Sequence, residues 1–153
     1  MATHLKVGDP APAFSGLNEK GEPVSLQDYR GKKLVLFFYP KDNTPGCTAE
    51  ACSLRDHYAE LREKGYALLG VSPDSEQKHR KFIDKFNFPF SLLADTAKET
   101  LHAYGVWGPK KFMGRTFDGV LRTTFIIDEE GKIERIIEKV KTMNHARQIL
   151  EGE

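Results

Sequence analysis

Hydrophobic residues along the chain alternate between short continuous runs and stretches with helical spacing. The strongest run, residues 33–39, is apolar after its first residue, which is typical of a central strand covered on both faces. Over residues 45–64 the apolar positions recur at helical spacing, and Gly65 stands where such a helix would end. Another apolar run, Tyr66–Ser72, follows directly. The pattern therefore predicts a buried strand, a helix and a second strand in succession.

The rest of the chain continues this alternation. Short strands are predicted at residues 13–15, 23–26 and 90–93, helices at 75–86, 97–104 and 144–150, and a hairpin at 122–127 and 132–138. Residues 105–119, with their glycines and lysines, are predicted to be a long connection. Strands alternating with helices before a terminal hairpin indicate an α/β fold. The order is that of a thioredoxin-like fold, a mixed central sheet flanked by helices, with an N-terminal extension.

Composition and charge narrow the classes of protein to which the chain can belong. Its 153 residues are 39% hydrophobic and 29% charged, which suits a single domain spanning residues 1–153. Lys+Arg 23 against Asp+Glu 22 gives a formal net charge of +1, so neither nucleic acid nor a membrane is expected as a partner. The first nine residues lack the apolar core of a secretory signal, and we therefore expect a cytoplasmic protein.

The two cysteines, Cys47 and Cys52, lie five residues apart. A small secreted scaffold would need more cysteines at longer separations, and a structural zinc site would need more ligands. The five histidines are scattered and offer no paired ligand spacing, so we expect no metal. Redox chemistry in which sulfur supplies both electrons would need no cofactor either. The cysteines are therefore either packing residues or redox groups.

Residues 44–47, Thr-Pro-Gly-Cys, predict a reactive position at the start of a helix. Thr44 suits the N-cap, and Pro45 suits the first helical position, where its missing N–H costs nothing. Cys47 then falls at the third helical position, N3, where free backbone N–H groups and the helix dipole favour an anion. The alternative is that Cys47 is a small buried hydrophobic residue. The Pro–Gly step after a buried strand that ends at Pro40 favours the nucleophile.

Spacing along this helix has two consequences for the cysteines. Apolar residues follow Cys47 on one helical face and place it at the start of the core-facing stripe; they are Ala51, Leu54, Tyr58 and Leu61. Five residues of intact helix separate two Cα atoms by about 8.5 Å. A disulfide requires about 7 Å or less, so a bond between Cys47 and Cys52 requires the helix start to unwind. Cys52 is otherwise a bystander on the helix flank.

The segment around Cys47 resembles the active site of the peroxiredoxins, specifically the peroxiredoxin Q or bacterioferritin comigratory protein subfamily. The family pattern P-x-x-x-T-x-x-C matches Pro40, Thr44 and Cys47, and the subfamily's second cysteine matches Cys52. The similarity extends over nearly the whole chain. It includes Gly-Asp-Pro-Ala-Pro-Ala-Phe at 8–14, Gly-Val-Ser at 70–72, Tyr-Gly-Val-Trp-Gly at 104–108 and Arg-Thr-Thr-Phe at 122–125.

The resemblance implies a role for each matching residue of the segment. Cys47 would attack the peroxide and become a sulfenic acid, and Cys52 would resolve it as an intramolecular disulfide. Thr44 would orient the peroxide through its hydroxyl. Pro40 would shield the thiolate from water.

An anion site around the sulfur is also implied. Arg122, otherwise a surface residue at a strand end, would stabilise the thiolate and the charge on the leaving oxygen. Backbone N–H groups of Gly46 and Cys47 would complete the site. Glu50 lies nearby in sequence, but it is equally an ordinary first-turn helix acid and is left out of the catalytic set.

As a whole, the resemblance implies a thioredoxin-dependent peroxidase of the atypical two-cysteine type, acting on hydrogen peroxide and organic hydroperoxides. A thioredoxin-type dithiol would recycle the disulfide, and internal resolution favours a monomer. Two other classes remain open: a thioredoxin-like protein thiol–disulfide oxidoreductase and a non-catalytic redox or chaperone module. The oxidoreductase needs C-x-x-C at the helix start, where Thr44 occupies the place of the first cysteine.

Overall fold

The elements of the chain follow the predicted succession of strands and helices. The computed structural model of the protein describes residues 3–152. Its strands are β1 (Ser15–Asn18), β2 (Pro23–Ser25), β3 (Lys33–Phe38), β4 (Tyr66–Ser72), β5 (Ser91–Ala94), β6 (Trp107–Phe112), β7 (Arg115–Val120), β8 (Thr123–Ile127) and β9 (Ile133–Ile137). Its helices are α1 (Pro45–Asp56), α2 (Tyr58–Glu63), α3 (Glu76–Phe86), α4 (Glu99–Ala103) and α5 (His145–Glu151), with short 3₁₀ turns at Leu26–Tyr29 and Thr142–Asn144.

Within residues 3–152, one sheet of seven strands has the order β2-β1-β5-β4-β3-β8-β9. Strands β3, β4 and β5 are parallel, whereas β1, β8 and β9 pair with their neighbours in antiparallel fashion. The hairpin of β1 and β2 is the N-terminal extension and lengthens the sheet beyond β5. This mixed sheet flanked by helices confirms the predicted α/β, thioredoxin-like fold.

Strand β3 lies in the interior of the sheet and is buried on both faces, which explains its continuous apolar sequence. Successive side chains enter two hydrophobic cores on opposite faces of the sheet. The first core receives Leu34, Leu36 and Phe38, and the second receives Val35, Phe37 and Tyr39. The second core also holds the buried face of α1, so this helix packs directly on the central strand.

The register of the sheet brings distant residues to the carboxyl end of β3. Phe38 pairs with Val71 of β4 on one side and with Thr123 of β8 on the other. Because β8 is antiparallel to β3, Arg122, the residue before β8, lies beside the loop that follows Phe38. Tyr39 continues the contact with β4, since its N–H donates to the Val71 carbonyl at 3.1 Å. The loop of residues 39–44 is thus flanked by both neighbouring strands.

Two element predictions are wrong. The connection predicted at 105–119 is instead the antiparallel hairpin of β6 and β7. Its two-residue turn, Met113 and Gly114, has positive φ angles of 52° and 77°, which a primed hairpin turn requires. The helix predicted at 45–64 is interrupted at His57, which separates α1 from α2 with a φ of −112° and a ψ of 18°.

Within residues 3–152, no helix combines the length and the apolar character that crossing a bilayer requires.

Candidate active site

Helix α1 begins as the sequence predicts, with Thr44 at the N-cap, Pro45 at the first helical position and Cys47 at the third. Thr44 has extended backbone, and its carbonyl accepts the first helical hydrogen bond from the Thr48 N–H at 2.8 Å. Its hydroxyl makes no capping bond and donates instead to the Lys41 carbonyl at 2.8 Å. The N-cap side chain therefore leaves the first-turn N–H groups of α1 to another acceptor.

Cys47 lies at the buried edge of this helix start, with 2% of its surface exposed. The predicted stripe is confirmed along α1, where Ala51 and Leu54 are buried behind the cysteine; Leu61 and the partly buried Tyr58 lie in the same core but on α2. The Cys47 sulfur thus begins the core-facing side of α1. Limited access of water to this position strengthens electrostatic interactions with the sulfur.

The Arg122 guanidinium reaches across to the sulfur of Cys47. Its Nη2 donates to Cys47 Sγ at 3.4 Å, and a quarter or less of the arginine side chain is exposed. A Cβ at Gly46 would lie 3.2 Å from the same Nη2, so the absence of a side chain there allows this close approach. The Cys47 sulfur therefore lies at the start of a helix and within hydrogen-bond reach of a guanidinium.

Glu50, which the sequence analysis leaves out of the catalytic set, binds the other side of the guanidinium. Arg122 Nη1 donates to Glu50 Oε1 at 2.6 Å, and the Glu50 side chain is 1% exposed. Burial opposes the charge on Arg122, but the charges of Glu50 and Cys47 outweigh that effect and raise the pKa of Arg122. The spacing of three residues from Cys47, which puts both on one side of α1, was the available signal.

The second oxygen of Glu50 lies in an unusual environment. Among the described residues, Glu50 Oε2 has no hydrogen-bond partner and lies 3.6 Å from His145 Nε2. Burial lowers the pKa of His145 to about 4, so its ring is neutral: Nε2 accepts from the Thr124 hydroxyl at 2.7 Å and Nδ1 donates to Gln148 at 2.8 Å. Burial also raises the pKa of Glu50 to about 7, against the attraction of Arg122.

This titration predicts a specific pH dependence of stability for Glu50→Gln. The pKa of Glu50 in the folded protein, about 7, exceeds its ordinary value of 4.5, so proton binding to Glu50 stabilises the folded state. This contribution to the free energy of unfolding is complete below the ordinary value. The contribution is lost as pH rises through about 7. Glutamine mimics the protonated acid and does not titrate. As pH rises from the ordinary pKa to the folded one, we therefore expect the free energy of unfolding of the variant to increase relative to that of the wild type by up to about 3 kcal/mol. Urea unfolding at a series of pH values measures the difference.

The matched control for this prediction is Glu63→Gln, which removes the same charge from an exposed position on α2. We expect its difference from the wild type to stay nearly constant with pH. A constant difference for Glu50→Gln as well would contradict the titration of the buried carboxyl.

Cys52 lies apart from the anion site formed by Cys47, Arg122 and the helix start. Both cysteines are free, and both belong to the intact helix α1. Cys52 is half-buried against the second core, and burial raises the pKa of its thiol, with Arg55 opposing the shift and Asp56 adding to it. The thiol form of Cys52 is therefore favoured while α1 is folded.

The remaining predicted residues, Pro40 and Thr44, lie half-buried in the loop between β3 and α1. Lys110, on β6, was assigned by sequence to a solvated connection, but the β6–β7 hairpin brings it close to the site. Burial and the neighbouring charge of Arg122 lower the pKa of Lys110, while Cys47 acts in the opposite direction. Sequence reasoning missed this residue because the hairpin itself was not predicted.

Comparisons with known proteins agree with this geometry. Residues 7–136 match the family model described as the AhpC/TSA family. Peroxiredoxin Bcp of Escherichia coli is 46% identical over 141 residues, covering 92% of this chain and 90% of the relative. Peroxiredoxin Bcp of Bacillus subtilis is 44% identical over 147 residues, covering 96% and 94% of the two chains.

Solved structures show the same similarity in three dimensions. Peroxiredoxin Q of Xylella fastidiosa superposes with a TM-score of 0.91 at 30% identity, covering 99% of this chain and 96% of the other. Peroxiredoxin Q of Xanthomonas campestris gives a TM-score of 0.87 at 33% identity, covering 98% and 95%. The similarity therefore extends through the sheet, the helices and the segment that carries Cys47.

Proposed function

Because the chain belongs to the AhpC/TSA family and is a thiol-dependent peroxidase of the peroxiredoxins, we propose that its chemistry starts at Cys47. The observation that carries this proposal is the 3.4 Å contact between Arg122 Nη2 and Cys47 Sγ at a buried helix start. Thiolate is the reactive form of cysteine, and the guanidinium and the helix N-terminus both favour it.

In the proposed first step, the Cys47 thiolate attacks one oxygen of the peroxide. A sulfur–oxygen bond forms and the oxygen–oxygen bond breaks, so that sulfur loses two electrons and the peroxide gains them. The leaving oxygen takes a proton and departs as water or an alcohol, and Cys47 is left as a sulfenic acid. Arg122 and the N–H groups of Gly46 and Cys47 stabilise the charge that develops on the peroxide oxygens.

Thr44 and Pro40 prepare the peroxide for this attack. The Thr44 hydroxyl donates to the Lys41 carbonyl, so its oxygen remains able to accept a hydrogen bond from the peroxide. Pro40, half-buried after the end of β3, covers the thiolate and limits its hydration. The peroxide is thereby held in line with the sulfur while water is kept away.

Resolution follows when the Cys52 sulfur attacks the Cys47 sulfenic acid. A disulfide forms and water leaves, and a dithiol reductant later returns two electrons. Because α1 holds both cysteines on intact helix, the first turns of α1 must unwind in each cycle. Gly46 lowers the cost of that unwinding, since glycine is a weak helix former.

The proposal also covers the peroxide substrates, the reductant, the oligomeric state and the cellular location. The Xanthomonas campestris bacterioferritin comigratory protein has been solved in connection with alkyl peroxide reduction activity, and its fold matches this chain with a TM-score of 0.87. We therefore assign both hydrogen peroxide and organic hydroperoxides to this enzyme, with a thioredoxin-type dithiol as reductant and no cofactor. Internal resolution needs no second subunit, which supports a monomer. We also propose that residues 1–153 form one domain and that the enzyme acts in the cytoplasm.

Peroxide titration with and without a dithiol reductant tests this function. Without reductant, we expect one equivalent of hydrogen peroxide or cumene hydroperoxide to be consumed as both thiols are lost. With thioredoxin and its reductase, consumption becomes continuous. Inertness to peroxide combined with efficient protein disulfide exchange would instead indicate an oxidoreductase, and absence of both reactions would indicate a non-catalytic module.

A further inference from the structure

A cluster of polar side chains lies buried beneath the loop of residues 39–44, apart from the anion site at Cys47. Its members share nearly complete burial; they are Tyr39, Asp42, Ser72, Asp74 and His79. They come from the loop that follows β3, from the end of β4 and the connection after it, and from the first half of α3. The proposed chemistry uses none of these side chains directly.

Asp42 is the centre of this cluster, which we call the loop anchor. Its Oδ2 lies 2.6 Å from His79 Nδ1, and its Oδ1 accepts from the Tyr39 hydroxyl at 2.6 Å. Its backbone N–H donates to Asp74 Oδ2 at 2.8 Å, and the same oxygen accepts from the Ser72 hydroxyl at 2.7 Å. A single loop residue is thus tied to Tyr39 directly after β3, to Asp74 between β4 and α3, and to His79 of α3.

The hydrogen bonds of His79 fix where the protons of the loop anchor lie. His79 Nε2 faces the Leu93 carbonyl at 3.0 Å, and a carbonyl only accepts, so Nε2 carries hydrogen. His79 Nδ1 faces a carboxyl oxygen of Asp42, whose other oxygen is already paired with Tyr39. One hydrogen therefore lies between Asp42 Oδ2 and His79 Nδ1, in a buried hydrogen bond of 2.6 Å.

Further hydrogen bonds hold the residues on either side of Asp42. Asn43 has a φ of 61°, which is uncommon for a residue other than glycine, and its side chain accepts from Lys85 Nζ of α3 at 3.2 Å. The Thr44 hydroxyl is held by the carbonyl of Lys41, the residue before Asp42. The loop is therefore fastened to the sheet and to α3, through contacts that do not depend on α1.

We propose that Asp42 and His79 are positioning residues for the peroxide reaction. They hold Pro40 and Thr44 in place on the scaffold while the first turns of α1 unwind and refold around them. The inference rests on the proposed function, because it takes Pro40 and Thr44 as the groups that shield the thiolate and orient the peroxide. The reaction with peroxide depends on the loop anchor, whereas resolution by Cys52 depends on α1.

The variants Asp42→Asn and His79→Gln test this division. Displacement of Thr44 would leave the peroxide poorly oriented for attack by Cys47. We therefore expect kcat/KM for hydrogen peroxide to fall about tenfold. We expect kcat at saturating peroxide, and the rate of disulfide formation from the sulfenic acid, to stay within about twofold of the wild type. Stopped-flow fluorescence of the oxidation and resolution phases measures both steps in the full-length protein.

A matched pair of Tyr→Phe variants keeps the test decisive if the Asp42 and His79 variants fail to fold. Tyr39→Phe removes one hydrogen bond to Asp42, whereas Tyr104→Phe removes a bond of 2.7 Å to the Pro12 carbonyl in the other core. We expect about a threefold loss of kcat/KM in the first and none in the second.

Equal losses in the Tyr39 and Tyr104 variants, or a fall in kcat in place of kcat/KM, would overturn the positioning role. Failure of the proposed function itself has a different signature, since the wild-type protein would then not be oxidised by peroxide at all.

Discussion

We expect replacement of Cys47 by serine to abolish peroxidase turnover and to leave the fold intact. Serine has nearly the volume of cysteine, and its hydroxyl can accept the hydrogen bond from Arg122, so the buried helix start keeps its contacts. A serine hydroxyl is not ionised near neutral pH and does not attack peroxide, so we expect more than a 10⁴-fold loss of kcat/KM, on the order seen when a nucleophile is removed. A coupled assay with thioredoxin and its reductase measures the loss.

The control for this prediction is the thermal unfolding of the same variant, together with the activity of Cys52→Ser in a single turnover. We expect Tm to change by a few degrees at most, because serine nearly conserves the volume of the buried cysteine and keeps the hydrogen bond from Arg122, which limits the cost to about 1 kcal/mol. Cys52→Ser keeps the proposed nucleophile and should still reduce its first equivalent of peroxide. Peroxide turnover by a folded Cys47→Ser protein would show that another group performs the reaction.

The fold was largely predictable because most elements bury apolar residues in a regular pattern. Strand β3 is apolar throughout its buried length, and α1 carries its buried residues on one face. The β6–β7 hairpin shows what this reasoning misses. Its exposed side chains include Met113 and Phe117, and it contains Gly and Pro, so its strands are held by backbone pairing without a periodic buried face. Hydrophobic periodicity contains no signal for such a hairpin.

The candidate site divides in the same way between local and long-range determinants. The position of Cys47 at N3 follows from four adjacent residues, because Thr44 and Pro45 fix where the helix starts. Arg122 comes to the site only through the antiparallel pairing of β8 with β3, so the resemblance to peroxiredoxins, and no local pattern, indicated it. The spacing of Glu50 from Cys47 predicts a shared face but neither its burial nor its ion pair with Arg122.

The loop anchor is the least visible of these features in the sequence. Asp42 and His79 are 37 residues apart and belong to a loop and a helix whose hydrophobic patterns are unrelated. Their contact depends on the parallel pairing of β3 with β4 and of β4 with β5, which brings the loop and α3 to the same end of the sheet. Side chains that look like ordinary surface acids and bases in sequence are thereby buried together.

Replacement of Cys52 by serine should stop catalytic turnover after the first peroxide. In the proposed cycle the sulfenic acid of Cys47 is removed by the Cys52 sulfur, and serine cannot form that disulfide. The sulfenic acid then persists in a buried site beside Arg122 and reacts with further peroxide, giving sulfinic acid. We expect at least about a hundredfold loss of thioredoxin-dependent turnover, with a normal first oxidation phase. Mass spectrometry after stepwise peroxide addition follows the successive addition of oxygen atoms.

The intact helix gives this prediction a second, structural readout. In the wild type, disulfide formation requires the first turns of α1 to unwind, so amide hydrogen exchange over residues 45–52 should rise after oxidation. In Cys52→Ser the sulfenic acid forms without that requirement, and the same amides should remain protected. Wild-type turnover by the serine variant would remove Cys52 from the cycle. Unchanged protection in the wild-type disulfide form would show that the two sulfurs meet without unwinding the helix.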